Sequence, residues 1–121
     1  MNRLQINRLI RWKNAQTRKP LIIKGARQVG KTWLMKEFGK REYKQTIYIN
    51  LESSKHLRNI FTIDFDIKRI LTALQIETGI ACEANTSLII FDEIQEAPEA
   101  ITALKYFYEN APEYHVIAAG S

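Results

Sequence analysis

The sequence predicts an α/β fold built on a mainly parallel sheet of about four strands, and three observations lead to that prediction. Short β-branched and aromatic runs alternate with segments of helical periodicity along all 121 residues. One apolar run leads into a glycine-rich loop that opens a helical segment, over residues 21–32. A second apolar run, residues 88–91, ends in two adjacent carboxylates, Asp92 and Glu93. Strands that are apolar on both sides and separated by helices are typical of a parallel sheet covered on both faces.

The predicted elements alternate regularly. An amphipathic helix over 3–13 and a polar link precede the first strand, Leu21–Lys24, whose two faces we expect helices to cover. A helix over about 31–38 is expected to place Trp33 in the core and to end at Gly39 as a C-terminal cap. The remaining predicted elements are a strand over 46–51, a helix from Ser53 or Ser54 to Ile60, a helix from Asp66 to Gly79, a strand over 88–93, a helix from Pro98 with Ile101, Leu104 and Tyr108 on one face, and a strand over 115–119.

The amino-acid composition limits the classes of protein to which the chain can belong. The apolar fraction of 45% and charged fraction of 26% are ordinary for a globular chain. Apolar runs fall short of the roughly 20 residues of a membrane span, and basic residues interrupt the N-terminal segment, so neither a membrane segment nor a signal peptide is expected. The single cysteine, Cys82, fits a cytoplasmic location and is expected to pack at a helix end rather than to bind metal or attack a substrate.

The formal net charge of +5 is divided unevenly along the chain. Residues 1–60 contain fifteen Lys and Arg and three Asp and Glu. Residues 61–121 contain three Lys and Arg and ten Asp and Glu. A basic half can form a nucleic-acid surface. The alternative, a generic solvated surface or two halves that face each other, is favoured because the basic residues are spread over several elements.

The glycine-rich loop matches G-x-x-x-x-G-K-[ST], the pattern of phosphate-binding loops. Gly25 and Gly30 allow backbone angles that turn N–H groups toward an anion, and the following helix points its positive end the same way. Lys31 would hold the outer phosphates, and the Thr32 hydroxyl would bind Mg²⁺. The predicted nucleotide contacts are Gly25, Ala26, Arg27, Gln28, Val29, Gly30, Lys31, Thr32 and Trp33. Two alternatives stay open: a surface turn that matches by chance, and backbone-only roles for Arg27 and Gln28.

The two carboxylates are predicted to lie at the carboxyl end of a buried strand, where open α/β sheets bind ligands. Asp92 would hold Mg²⁺ through water, opposite Thr32, and Glu93 would orient or deprotonate the attacking water. The alternative is a pair of solvated acids at a strand end. The adjacent glutamate favours an ATPase, and the sequence contains neither the D-x-x-G nor the N-K-x-D pattern of a GTPase.

These motifs resemble those of the AAA-type ATPases that are widespread in bacteria and archaea. The resemblance spans nearly the whole chain and rests on residues 25–32, 49–52, 91–95 and 118–121. It implies a three-layer P-loop NTPase of the ASCE/AAA type that binds and hydrolyses Mg-ATP. It places Ser121 at the end of the sensor-1 strand, where a polar side chain contacts the γ-phosphate or water, so Ser121 joins Lys31 and Glu93 as a catalytic candidate. Gln95 belongs to the third motif, without an assigned role.

The resemblance also implies that the chain is the N-terminal part of a longer protein. Members of this family continue into a fifth strand, a helical lid and a C-terminal domain of unknown function. We therefore expect one truncated nucleotide-binding domain, with residues 1–20 as helix and link and 21–121 as P-loop core. Residues 1–121 alone should bind nucleotide weakly and hydrolyse little. Without the fifth strand, Leu21–Lys24 is expected to be an exposed apolar edge that promotes self-association.

Two function hypotheses follow from the sequence. The first is an ATPase, active in the full-length parent and coupled to an unknown protein client. The alternative is a nucleotide-switched module that binds nucleic acid or protein with little turnover.

Overall fold

The computed structural model describes residues 3–25 and 29–121. Helices and strands alternate through this part of the chain, except that two consecutive helices lie between the second and third strands. A short 3-10 turn, Ile94–Glu96, precedes the last helix. The strands are β1 (Leu21–Lys24), β2 (Gln45–Asn50), β3 (Ser87–Asp92) and β4 (His115–Gly120). The helices are α1 (Arg3–Lys13), α2 (Val29–Glu42), α3 (Lys55–Asn59), α4 (Ile67–Thr78) and α5 (Pro98–Asn110).

The four strands form one parallel sheet in the order β1-β4-β3-β2, so the predicted fold class is confirmed. Both central strands, β3 and β4, are buried along their whole length. The register places Lys24 opposite Gly120 and Asn50 opposite Asp92. The carboxyl ends of all four strands therefore meet along a single edge of the sheet.

Side chains of the central strands alternate between two helical layers, as the twofold repeat of a strand requires. In β3, Leu88 and Ile90 face α1 and α2, whereas Ile89 and Phe91 face α4 and α5. The first layer adds α1 and α2 residues, Ile6, Leu9, Leu34, Met35 and Phe38. The second adds α4 and α5 residues, Ile67, Ile70, Leu71, Leu74, Ala100, Ala103, Leu104 and Phe107. The sheet is thus covered on both faces, in three layers.

Local signals set most helix ends where the sequence predicts them. Ser54 caps α3, with its side chain accepting from the His56 N–H at 3.1 Å. Asp66 caps α4, and Gly79 ends that helix in the left-handed conformation, at φ 71°. Pro98 is the first residue of α5.

The predicted C-terminal cap at Gly39 is wrong, because α2 continues to Glu42. Gly39 is buried within that helix and lies against the sheet. A Cβ at this position would lie 2.3 Å from Thr46 Oγ1 and 3.2 Å from Leu88 Cδ2. The glycine is therefore explained by the close approach of α2 to β2 and β3.

The predicted core position of Trp33 is wrong, because its side chain is 42% exposed. On α5, Leu104 is buried, whereas Ile101 and Tyr108, predicted on the same face of the helix, are exposed. The buried stripe of α5 consists of Ala100, Ala103, Leu104 and Phe107.

The edge position of β1 agrees with the prediction. β1 pairs with β4 on one side, and within residues 3–25 and 29–121 no strand pairs with its other side. Leu21 and Ile23 are half-buried, whereas Ile22 is exposed. Leu21 and Ile23 pack on the layer of α1 and α2 as expected, whereas the opposite face of β1 is less well covered in the described part of the chain, since Ile22 is 38% exposed. None of the helices in the described ranges has the length and apolar character needed to cross a lipid bilayer.

Candidate functional site at the carboxyl edge of the sheet

The site lies where β1, β3 and β4 end and α2 begins. Gly25 follows β1 with φ 145°, a conformation that side chains rarely adopt. No described atom lies within 4 Å of a Cβ built there, so backbone conformation rather than space explains this glycine. Gly30 differs from the prediction, because it lies in the first turn of α2 without a positive φ.

Lys31 lies in the first turn of α2 and points its ammonium group at the ends of two strands. Its Nζ donates to the Gly25 carbonyl at 3.2 Å and to the Gly120 carbonyl at 3.4 Å. The charge is thus located between the carboxyl ends of β1 and β4. This is the edge at which open parallel sheets bind ligands.

The Asp92 carboxylate is buried at the end of β3 and accepts three hydrogen bonds. The hydroxyls of Thr32 and Tyr48 donate to Oδ2 at 2.6 and 2.7 Å. The Glu93 backbone N–H donates to Oδ1 at 2.9 Å. Charge-assisted bonds of this kind hold a carboxylate in one orientation. The structure therefore brings Thr32 and Asp92 together, as the sequence predicts.

Glu93 leaves the strand. Residues 88–93 were expected to form a single strand, but β3 ends at Asp92, and Glu93 adopts a left-handed backbone with φ 53° and ψ 47°. For a residue with a side chain this conformation costs about 1 kcal/mol. The turn directs the Glu93 side chain along a different path from Asp92, and the Gln95 amide donates to Glu93 Oε1 at 2.8 Å.

Ser121 directly follows β4 and is exposed. Its backbone N–H donates to Gln95 Oε1 at 3.2 Å. Because Gly120 contacts Lys31, the end of β4 lies near the ammonium group as well as near the turn that carries Glu93. Lys31, Thr32, Asp92, Glu93 and Ser121 thus share one edge of the sheet; their roles stay predictions.

Sequence reasoning missed Tyr48, which was considered only as an aromatic strand residue. Tyr48 lies on β2 and packs against the layer of α1 and α2, which places its hydroxyl beside Asp92. The Lys36 ammonium lies 4.1 Å from the centre of its ring. Burial, and next the hydrogen bond to Asp92, raise the pKa of the Tyr48 hydroxyl, so it stays a donor at neutral pH. The sequence shows only that Tyr48 lies near the end of a predicted strand; the pairing of that strand with β3, which brings the hydroxyl to Asp92, is a finding of the structure.

The oxygen donors at this edge suit a hard cation such as Mg²⁺, which prefers carboxylate, hydroxyl and phosphate oxygens. Thr32 Oγ1 and Asp92 Oδ2 lie 2.6 Å apart, so one ion could contact both side chains directly or through water. Across residues 3–25 and 29–121, no group of three or more His, Cys, Asp or Glu side chains could hold a metal.

Some predicted contacts lie outside the described residues. This applies to Ala26, Arg27 and Gln28, and also to the side chain of Val29, whose backbone begins α2. Trp33, also predicted to contact nucleotide, is exposed in the first part of α2.

Cys82 lies away from this edge and is buried, as the sequence predicts. Its backbone N–H donates to Gln75 Oε1 at 2.8 Å, just beyond the end of α4. Burial raises the pKa of its thiol to about 11, so Cys82 stays protonated at neutral pH.

Two comparisons with known proteins bear on this geometry. Residues 17–121 match a family model described as an AAA domain. A search of the curated proteins found no match. The matched residues include all four strands and every residue of the site.

Proposed function

Because the chain belongs to the AAA domain family, we propose that the carboxyl edge of its sheet binds Mg-ATP and, in the full-length protein, hydrolyses it. The observation that carries the proposal is the meeting of Thr32 and Asp92 at 2.6 Å, next to the Lys31 ammonium between the ends of β1 and β4. Two side chains that can bind a cation and an ammonium group that can bind phosphate thereby lie at the same edge of the sheet.

Each residue has a proposed role that follows from its chemistry. Lys31 binds the outer phosphates as a point charge, and the loop and helix start contribute backbone N–H groups. Thr32 and Asp92 hold Mg²⁺, which neutralises charge that develops on the phosphate oxygens. The other proposed nucleotide contacts are Gly25, Ala26, Arg27, Gln28, Val29, Gly30 and Trp33.

Glu93 is proposed to accept the proton of the attacking water, or to orient that water. The left-handed turn at Glu93 supports a role distinct from that of Asp92, because it separates the two adjacent side chains. The Ser121 hydroxyl, at the end of β4, is proposed to contact the γ-phosphate or the water.

The binding half of the proposal is tested by calorimetric titration of the full-length protein with Mg-ATP. Lys31→Ala should weaken binding at least about tenfold, because a hydrogen bond from a charged group contributes roughly 1.5–3 kcal/mol. Lys40→Ala is the matched control, since it removes the same charge from an exposed position of α2. Equal affinities for Lys31→Ala and Lys40→Ala would contradict the proposed phosphate site.

A second candidate function is nucleic-acid binding, with nucleotide as a switch and little turnover. Its support is that α1 and α2, which hold much of the basic charge, cover the same face of the sheet. The exposed basic residues of these helices are Arg3, Arg8, Arg11, Lys36, Lys40 and Arg41. DNA or RNA affinity that falls steeply with salt would support this candidate, whereas undetectable binding at low salt would remove it.

A further inference from the structure

The Gln95 side chain bridges two parts of the site that are distant in sequence. Its Nε2 donates to Glu93 Oε1 at 2.8 Å, and its Oε1 accepts from the Ser121 N–H at 3.2 Å. Gln95 is half-buried in the 3-10 turn that follows β3. One side-chain amide therefore connects the carboxylate after β3 to the end of β4.

The polarity of this bridge specifies the chemistry of residue 95. A backbone N–H can only donate, and an ionised carboxylate can only accept, so the connecting group needs an acceptor at one end and a donor at the other. A planar amide supplies both, whereas a carboxylate lacks the donor and an ammonium lacks the acceptor. The two partners also fix which way the amide of Gln95 points.

The surroundings hold the bridge in place from both sides. The turn is closed by two backbone bonds, from the Glu96 N–H to the Glu93 carbonyl at 3.1 Å and from the Ala97 N–H to the Ile94 carbonyl at 3.0 Å. On the side of β4, a Cβ added to Gly120 would lie 2.7 Å from Gln95 Oε1. The glycine therefore leaves the room that the amide occupies.

We propose that Gln95 is a positioning residue, which holds the Glu93 carboxylate in its working orientation and couples it to the end of β4. The inference rests on the proposed function, because it assigns Gln95 a part in the reaction of Glu93. The connection continues to Lys31, whose Nζ donates to the Gly120 carbonyl. The phosphate-binding charge and the proposed base thus share one chain of contacts.

The test uses steady-state ATP turnover by the full-length protein. Gln95→Glu keeps the size of the side chain and an acceptor for Ser121, but it replaces the donor with a second carboxylate beside Glu93. We expect kcat to fall about tenfold to hundredfold with KM changed less than about twofold, since misplacing a reacting group costs that much. A merely structural link between the turn and β4 would not separate kcat from KM in this way.

Gly120→Ala provides an independent variant, because its methyl group displaces the amide without removing it. Gly120→Ala should also lower kcat. The double variant, Gln95→Ala with Gly120→Ala, should have a kcat no lower than that of Gln95→Ala alone. Glu96→Ala is the control, because Glu96 lies in the same turn with an exposed side chain. Its kcat should equal that of the unmodified protein.

A further readout does not depend on turnover. Hydrogen exchange at the Ser121 amide should be faster in Gln95→Ala than in Glu96→Ala, and equal rates would overturn the bridge. If Glu93→Gln stops turnover while Gln95→Glu keeps kcat within about twofold, the inference is overturned and the proposed function stands. If Glu93→Gln itself leaves turnover unchanged, the proposed function is overturned together with this inference.

Discussion

At the scale of single residues, Asp92 depends on neighbours from two other elements. Thr32 on α2 and Tyr48 on β2 donate to the same carboxylate oxygen. If Mg²⁺ takes Thr32 as a ligand, the Tyr48 hydroxyl still holds Asp92. Tyr48 is thus expected to determine how well the carboxylate is oriented for the metal.

We therefore predict that Tyr48→Phe raises the Mg²⁺ concentration needed for half-maximal ATP binding. A lost hydrogen bond to a charged group is worth about 1.5–3 kcal/mol, so this Mg²⁺ concentration should rise by at most roughly tenfold to hundredfold. The measurement is a Mg²⁺ titration at fixed ATP, with Tyr108→Phe, on the exposed part of α5, as control. An unchanged Mg²⁺ midpoint in Tyr48→Phe would show that Thr32 and the backbone suffice.

A second residue-scale prediction concerns the buried pair of Tyr43 and His115, which share a hydrogen bond of 2.6 Å. Burial, with the charges of Arg18 and Lys13, lowers the pKa of His115 from 6.5 to about 4. The unfolded chain takes up the proton first as pH falls. The stabilisation from this group is therefore complete above about pH 6.5 and is lost between about 6.5 and 4.

Urea unfolding at pH 7 and pH 5 measures this loss. His115→Gln, which does not titrate, should lose less stability than the unmodified chain over the same interval. Equal losses in the two proteins would assign the pH dependence to other groups.

At the scale of elements, Gly39 controls the approach of α2 to the sheet. Alanine normally stabilises a helix interior by about 1 kcal/mol relative to glycine. At this position we predict that Gly39→Ala destabilises by about 1–3 kcal/mol, because its methyl group would collide with Thr46 and Leu88.

Gly30→Ala is the matched control for unfolding measurements. It lies in the same helix, and no described atom is within 4 Å of the added Cβ. Adding Thr46→Ala to Gly39→Ala should restore part of the lost stability. A Gly39→Ala protein as stable as the unmodified chain would mean that α2 shifts without cost.

Local sequence signals predicted most elements, because caps and apolar runs act within a few residues. Ser54, Asp66 and Gly79 are examples, and the order of helices and strands also followed from local periodicity. The continuation of α2 through Gly39 could not be predicted, since its cause lies in contacts with β2 and β3. The turn at Glu93 was missed for a similar reason: its geometry is set with Asp92, Gln95 and the end of β4.

For the site, motif spacing predicted which residues lie close together, but it did not predict which neighbouring side chains orient them. Lys31, Thr32 and Asp92 come together as their motifs indicate. The contact of Tyr48 with Asp92 depends on the pairing of β2 with β3, which a single sequence does not specify. The sequence places Gln95 in the third motif, but its contacts depend on the turn after β3 and on the end of β4.

At the scale of the whole molecule, α1 is integrated with the rest of the chain through Ile6 and Leu9, which share a core with α2 and the sheet. We propose that residues 1–121 form one nucleotide-binding domain, with 1–20 as helix and link and 21–121 as P-loop core. Residues 1–121 alone are proposed to turn over ATP slowly compared with the full-length protein. Comparing the kcat of the two proteins tests this proposal.

The open edge of β1 leads to a prediction for residues 1–121. The strand's backbone groups and the exposed Ile22 offer a template for pairing with a second copy. We expect concentration-dependent association in sedimentation experiments. Ile22→Lys should reduce this association, because a charge on an edge strand opposes pairing. A monodisperse monomer at high concentration would contradict the expectation.

The most direct test of the proposed function compares Glu93→Gln with the unmodified full-length protein for both ATP binding and ATP turnover. The substitution keeps the shape of the side chain and removes its capacity to accept a proton. We predict that the Kd for Mg-ATP stays within about threefold while kcat falls by at least about a hundredfold, the range typical of a lost general base. Turnover that is unchanged in Glu93→Gln would contradict the assignment of this edge of the sheet as an ATPase site.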